Sequence, residues 1–346
     1  MKKTVAVLFG GCSTEYSVSL QSAYAVLQAI DRTRYEVLPV GITRAGDWFF
    51  YEGPLDAIPL DTWQESGCVP AALSPSRSVR GLLIFRSTRM ETLLLDEAFP
   101  VLHGRNGEDG TVQGLLELAG IPVVGCGTLA SALCMDKVRA HRLASAAGVR
   151  VPACVVLEDA AELERRRGEI KKLGLPLFVK PVRSGSSFGI SRVTRWNQVP
   201  EAVEEAFRHD SRVILEECVS GFEVGCAILG TRDLTVGQVD EIELSEGFFD
   251  YEEKYTLKTS QIHMPARIAP EKAEEIKASA VTVYRALDCA GFARVDLFLT
   301  PEGEIVFNEV NTIPGFTGHS RYPNMMKGIG LDFPALVERL LEEALV

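Results

Sequence analysis

Short runs of consecutive apolar residues alternate with longer stretches of mixed polarity through the first third of the chain. Residues 4–9 form such a run, as expected of a strand buried on both faces. Gly10-Gly11 ends it, and Ser13 or Thr14 is placed to cap a helix reaching about residue 30. Residues 35–42 predict a second strand, 98–102 a short third one, and 114–119 a helix. Strands alternating with helices imply a parallel sheet with helices on its faces. Residues 50–80 carry no clear period.

Further along, residues 136–147 predict a helix closed by Gly148, and 177–180 a strand. Residues 200–209 predict a helix, and 212–216 a strand ending at a sheet edge. Residues 241–264 are polar and aromatic without a period. A loop that long in a compact domain is usually functional or disordered. Phe248, Phe249, Tyr251 and Tyr255 argue against disorder, which leaves a functional loop as the expectation. Residues 269–287 predict a helix with Pro270 just inside its start, and 332–345 a terminal helix. Breaks near residues 125 and 217 divide the chain into domains 1–125, 126–216 and 217–346.

The clearest chemistry lies between Asp296 and Asn311. Two apolar runs flank the turn Pro301-Glu302-Gly303-Glu304, which predicts a hairpin. Side chains two apart on a strand share a face, so Glu309 and Asn311 point the same way. If the strands pair, Asp296 joins them. Two carboxylates and an amide oxygen are hard ligands, suited to Mg²⁺ carrying phosphates rather than to zinc. A solvated acidic hairpin is the bland reading. Acids that interrupt strongly apolar strands need a partner or a metal, which favours a nucleotide–metal site.

Composition narrows the classes. The chain of 346 residues has a formal net charge of −11, which argues against a general nucleic-acid binder. None of the eight cysteines forms a C-x-x-C pair, and most lie in apolar runs, as buried thiols of a cytoplasmic enzyme would. The apolar run after Lys2-Lys3 is short and no small-residue cleavage site follows, so a first strand is expected rather than a signal peptide. No segment approaches the roughly 20 apolar residues that cross a bilayer.

Four other segments carry weaker signals. Lys180 to Gly189 follows a strand with two glycines and three serines that could surround a phosphate, although a plain hairpin accounts for it equally well. Glu216 and Glu223 could receive a nucleobase amine and a ribose, or could end a surface strand. His103 stands in a Gly-rich stretch, where close backbone approach to a ligand is expected. The Gly-containing loop after Asn311 could aim N–H groups at an oxyanion, or could simply turn.

Taken in order, these segments resemble the D-alanine–D-alanine ligase family, which has the ATP-grasp fold. The resemblance spans essentially the whole chain. It rests on Gly10-Gly11-x-Ser13-x-Glu15, Val18-Ser19-Leu20, His103-Gly104-x-x-Gly107-Glu108-Asp109-Gly110, Met135-Asp136-Lys137 and Lys180-Pro181-x-Arg183-x-Gly185-Ser186-Ser187. Asp250-Tyr251-x-x-Lys254-Tyr255, Arg294-x-Asp296 and Asn308-Glu309-x-Asn311-Thr312-x-Pro314-Gly315 complete it.

The resemblance implies an α/β, three-domain ATP-grasp fold with a Rossmann-like N-terminal domain. It implies that Lys137, Lys180 and Lys254 hold ATP phosphates, and that Glu216, the Val219 backbone and Glu223 hold the adenosine. Asp296, Glu309 and Asn311 would bind two Mg²⁺ ions, with Mn²⁺ as a substitute. Glu15, linked to Ser186 and Tyr255, would bind the first D-alanine, with His103 nearby. Arg294 and the Gly315 N–H would stabilise the tetrahedral intermediate, and Ser320 and residue 321 would meet the second substrate. A homodimer through the first domain, with neither nucleic acid nor membrane as partner, is also implied.

Three departures matter. Glu217 stands where many members have Lys beside adenine, and Gly318 where Ser is frequent. Arg321 stands where the D-alanine–D-alanine enzymes usually have Leu. In Arg321, and in the wording around Gly247–Tyr251 and His319–Met326, the chain resembles the VanG-type D-alanine–D-serine ligases of vancomycin resistance. The D-alanine–D-lactate ligases lack the Lys254-Tyr255 pair that this chain keeps. Joining D-alanine to D-serine is therefore expected, with Asp240 as the partner of Arg321 and Phe249 on the pocket wall. The alternative is an ordinary D-alanine–D-alanine ligase of cell-wall synthesis. A regulatory nucleotide-binding protein is disfavoured by the intact set of lysines, acids and Arg294.

Overall fold

A computed structural model of the chain describes residues 2–185, 188–244 and 260–344. Three sheets follow one another along the sequence. The first holds β1 (Lys3–Gly10), β2 (Tyr35–Ile42), β3 (Trp48–Tyr51), β4 (Cys68–Leu73), β5 (Gly81–Arg86), β6 (Arg89–Leu94) and β7 (Glu97–Pro100), in the order β6-β5-β4-β3-β2-β1-β7. Only β2, β1 and β7 run parallel, and β2 through β6 are successive antiparallel neighbours. The parallel sheet expected from the sequence is thus a mixed one. Residues 50–80, which carry no clear period, contribute the end of β3 and all of β4.

The uninterrupted apolar run of β1 has a direct cause, since both its faces are covered. Val5, Val7 and Phe9 pack with helices Tyr16–Ala29 and Phe333–Glu342. Ala6 and Leu8 pack on the other side with Leu116 and Ala119 of helix Thr111–Ala119. Helix Tyr16–Ala29 has no side-chain cap, contrary to expectation. Ser13 instead accepts the Glu15 N–H and donates to the His103 carbonyl at 2.7 Å.

The second sheet, in the order β10-β9-β11-β8, holds β8 (Cys154–Leu157), β9 (Leu177–Pro181), β10 (Ser191–Val193) and β11 (Val213–Glu217). β11 lies between β9 and β8, not at an edge, and Glu216 is therefore buried. The third sheet is ordered β15-β14-β12-β16-β17, with β13 paired to β12. Its strands are β12 (Phe222–Leu229), β13 (Thr235–Val236), β14 (Asp240–Leu244), β15 (Ser260–His263), β16 (Phe292–Leu299) and β17 (Ile305–Asn311). The expected hairpin is β16–β17. The ends of the stretch expected to be one long loop, 241–264, are instead the antiparallel pair β14–β15. Residues 245–259 lie outside the described residues.

Ala227, Leu229 and Phe292 of the third sheet share a core with Phe9, Tyr16 and Leu340. The first and third sheets are therefore joined by packing as well as by chain. All eight cysteines are unpaired; four are buried and Cys154 is exposed.

Candidate active site

The register of the third sheet puts Asp240, Gly225, Asp296 and Glu309 in one row across β14, β12, β16 and β17. Laterally paired residues share a face, and so do residues two apart. Arg294, Asn311 and Glu223 therefore join them on that face. Such a concentration of buried acid needs cations. Arg294 forks onto Asp296, with Nε 2.8 Å from Oδ1 and Nη2 2.7 Å from Oδ2. Asn311 Nδ2 donates to Asp296 Oδ2 at 2.8 Å. Arg321 reaches in from helix Arg321–Lys327 and is bidentate on Asp240, at 2.8 Å to each oxygen. Its Nη1 donates to Glu223 at 2.9 Å and lies 3.3 Å from Asp296. Burial opposes the charge on both arginines, but the neighbouring aspartates outweigh it and hold both guanidiniums above their usual range.

Gly225 makes this possible, because a methyl group there would lie 2.3 Å from Arg321 Nη2. Nothing in the residue types around position 225 marks it as part of a site.

A cavity of about 430 Å³ lies between the second and third sheets. Phe178, Lys180, Glu216, Val219, Glu223 and Glu309 line it. Lys180 pairs with Glu216 at 2.6 Å. Burial pushes the Glu216 carboxyl up, but Lys180 and His141 outweigh burial and hold it below the usual range. His141 meets the carbonyl of Asn308 through Nε2 at 2.9 Å and faces Glu216 with Nδ1 at 3.6 Å. Sequence reasoning missed His141, although it follows Lys137 by one helical turn. Glu217 accepts the Ala153 N–H at 2.9 Å.

A smaller cavity adjoins, bounded by Glu15, Glu108, Lys137, Gly185, Glu309 and Asn311. Lys137 Nζ donates to the Ser184 carbonyl at 2.7 Å, which seats it beside the glycine-rich turn. That turn connects the antiparallel pair β9 and β10, so the segment is the hairpin that was one of the two readings of it. Glu15 is buried between two glycines. A methyl group would stand 2.5 Å from Glu15 Oε2 at position 104 and 2.9 Å at position 185.

His103, expected beside the first substrate, spends both ring nitrogens on the protein. Nδ1 is 2.7 Å from the Ile313 carbonyl and Nε2 is 3.0 Å from Ser22 Oγ. The Ile313 carbonyl can only accept, so Nδ1 carries the proton, and on a neutral ring Nε2 accepts from Ser22 Oγ, which itself accepts the Phe316 N–H. Burial lowers the pKa of His103, in keeping with a neutral ring. His103 thus ties the loop after β17 to helix Tyr16–Ala29 and does not present a free nitrogen.

Glu108 belongs to the motif but had no role from sequence. Its carboxylate accepts the N–H of Gly104 at 2.7 Å and of Ile313 at 3.1 Å. Burial and then Glu15 raise its pKa to about 8, against the pull of those two N–H groups. In the loop after β17, Ser320 Oγ accepts the Thr317 N–H at 3.0 Å, and a methyl on Gly315 would lie 3.2 Å from it. Ser186, Phe249, Lys254 and Tyr255 lie outside the described residues.

Glu309 and Asn311 offer hard oxygen donors at the cavity, and Asn311 keeps Oδ1 for a ligand while Nδ2 holds Asp296. Among the described residues no three acidic, His or Cys side chains converge as a complete metal site. A donor set of this kind fits a magnesium ion whose remaining ligands are phosphate oxygens and water.

The family models described as D-ala D-ala ligase N-terminus and C-terminus match residues 4–126 and 143–342. The chain belongs to the D-alanine–D-alanine ligase family. It is a ligase with the ATP-grasp fold that its solved relatives share. The crystal structure of VanG D-Ala:D-Ser ligase from Enterococcus faecalis is 56% identical, with a TM-score of 0.91 over 99% of each chain. Vancomycin C-type resistance protein VanC1 of Enterococcus gallinarum is 44% identical over 98% of this chain and 97% of its own. A D-alanine–D-alanine ligase of Caldicellulosiruptor bescii is 41% identical over 99% of this chain and 95% of its own. Family members thus differ in the second amino acid they take. No described helix is long and apolar enough to cross a membrane.

Proposed function

We propose that this ligase joins D-alanine to D-serine at the expense of ATP, through a D-alanyl phosphate. The observation that carries the reading is the buried, bidentate Arg321–Asp240 pair laid over Gly225. Arg offers N–H donors and no acceptor, and the carboxylate beside it can accept a hydroxyl proton. Together they complement a hydroxymethyl group. An aliphatic side chain at 321 would leave the substrate oxygen desolvated without a partner.

Glu15, between Gly104 and Gly185, receives the ammonium of D-alanine. The D-alanine carboxylate oxygen attacks the γ-phosphorus, and the bond to ADP breaks. Lys137 and Lys180 neutralise phosphate charge during that transfer. Asp296, Glu309 and Asn311 would hold magnesium, which supplies further charge neutralisation when bound. The free amine of D-serine then attacks the acyl carbon, Arg294 and the Gly315 N–H take the oxyanion, and phosphate leaves. Ser320 and Arg321 meet the second substrate. ATP use and unpaired thiols support a cytoplasmic setting, and a homodimer is part of the same reading. Product analysis tests it. D-Alanyl-D-serine should dominate when both amino acids are supplied, and exclusive D-alanyl-D-alanine would overturn it.

A further inference from the structure

Lys180, His141 and Lys137 all act on the buried carboxylate of Glu216. Glu216, paired with Phe178, and Lys180, paired with Ile214, share one face of the second sheet. Lys180 Nζ holds Glu216 Oε2 at 2.6 Å. His141 Nδ1 stands 3.6 Å from Oε1, an ion-pair distance and not a hydrogen bond. Both groups are buried, and neither His141 Nδ1 nor Glu216 Oε1 has a hydrogen-bond partner among the described residues. The rest of the ring is fixed. His141 follows Lys137 by one turn on helix Lys137–Ala146, and its ring meets that of Phe307 with centres 5.6 Å apart. Nε2 faces the Asn308 carbonyl, which can only accept, so Nε2 carries a proton. A carboxylate also only accepts, so the pair with Glu216 is attractive only when Nδ1 carries a second proton.

The three cations differ in access. Lys137 and Lys180 line the large cavity, whereas His141 is buried behind that wall. On the reading above, both lysines turn to the phosphates of ATP. Glu216 then loses its nearest cation while it still faces a slot walled by Phe178, Val219 and Phe222. A buried carboxylate left alone takes up a proton. We infer that His141 is a positioning residue for base recognition: as an imidazolium it stays with Glu216 when nucleotide phosphate draws the lysines away, and keeps that carboxylate an acceptor for an exocyclic amine. Closing the gap by roughly 0.8 Å makes a charge-assisted hydrogen bond. An ionised Glu216 accepts the amine of adenine and repels the keto oxygen of hypoxanthine. A protonated Glu216 donates to that oxygen, so loss of His141 weakens the distinction. The inference rests on the reading in which Lys137 and Lys180 serve ATP.

Steady-state kinetics with ATP and with inosine triphosphate test this in His141→Phe and His141→Lys. The Phe variant keeps the packing on Phe307 but loses both N–H groups. It should raise the KM for ATP about tenfold, with kcat within about threefold of wild type. Its preference for ATP over inosine triphosphate, as a ratio of kcat/KM values, should fall at least ~10-fold. His141→Lys keeps a cation and should recover most of that preference. A merely structural histidine would lower kcat or the melting temperature in both variants and leave the preference alone. An unchanged preference in His141→Phe, or a Lys variant no closer to wild type than the Phe variant, would overturn the inference. The wild type offers a measurement that needs no variant to fold. With the five histidines labelled with ¹⁵N and magnesium AMP-PNP bound, His141 should carry protons on both ring nitrogens at neutral pH. A neutral ring there would also overturn it. ADP release by the wild type separates the two readings. Turnover of ATP with an unchanged preference in His141→Phe overturns the positioning role alone, and no turnover overturns the reading of the lysines as well.

Discussion

At the scale of the residue, the proposed selectivity rests on one guanidinium and one glycine. Arg321 was legible because it breaks the expected pattern in a segment that otherwise fits. Gly225 was not, because its contribution is empty space, and space has no residue-type signature. The two make separable predictions. Arg321→Leu should move the D-serine to D-alanine preference toward alanine by about 2–3 kcal/mol, roughly a hundredfold, as a lost charged hydrogen-bond partner would. If both rates fall together at the parental ratio, Arg321 is structural. Gly225→Ala keeps every charged group but puts a methyl 2.3 Å from Nη2. It should shift the same product ratio in the same direction, with nucleotide affinity changing less than D-serine affinity. A variant with wild-type selectivity would show that the guanidinium has other room.

At the scale of the element, the β16–β17 hairpin was legible from two apolar runs around a turn. The acids that interrupt them were legible as candidate metal ligands. The row across four strands was not, because lateral pairing of β14, β12 and β16 is set by the fold and not by adjacent sequence. The β14–β15 pair was hidden for a related reason. Asp240, Glu241 and Glu243 spoil the apolar alternation of a strand. Glu241 is nonetheless buried because Arg267 forks onto it, at 2.6 Å for Nη2. The hairpin yields a direct test. Glu309→Gln removes a negative charge from the proposed metal site without changing shape. Turnover should fall by several kcal/mol in barrier at limiting magnesium and recover partly as magnesium rises. Turnover equal to wild type at limiting magnesium would remove Glu309 from the metal set.

At the scale of the molecule, the first sheet was only half legible. The parallel strands β1, β2 and β7 have long apolar or hairpin-free signals, whereas β3 to β6 are short strands with mixed faces. The convergence of loops from distant parts of the chain was not legible at all, and Glu108 sits at its centre. It takes N–H groups from Gly104, beyond β7, and from Ile313, beyond β17, while facing Glu15. Its carboxyl is raised to about 8 by burial and then by Glu15. In an unfolded chain it would titrate near a glutamate's ordinary value of about 4.3. Between those values the folded chain keeps a proton that the unfolded chain has released. Stability therefore falls as pH rises through this window. The contribution is complete below the unfolded value and gone above about 8. Glu108→Gln cannot titrate, and its amide nitrogen would face one of the two N–H groups. It should thus lose about 1 kcal/mol or more at acid pH for the forfeited hydrogen bond. Its melting temperature, measured without ligands from pH 5 to 9, should decline less steeply than that of the wild type, so that the gap between them narrows toward alkaline pH. Parallel curves across that range would mean that Glu108 keeps an ordinary carboxyl and that the junction of the loops is not where the molecule senses pH.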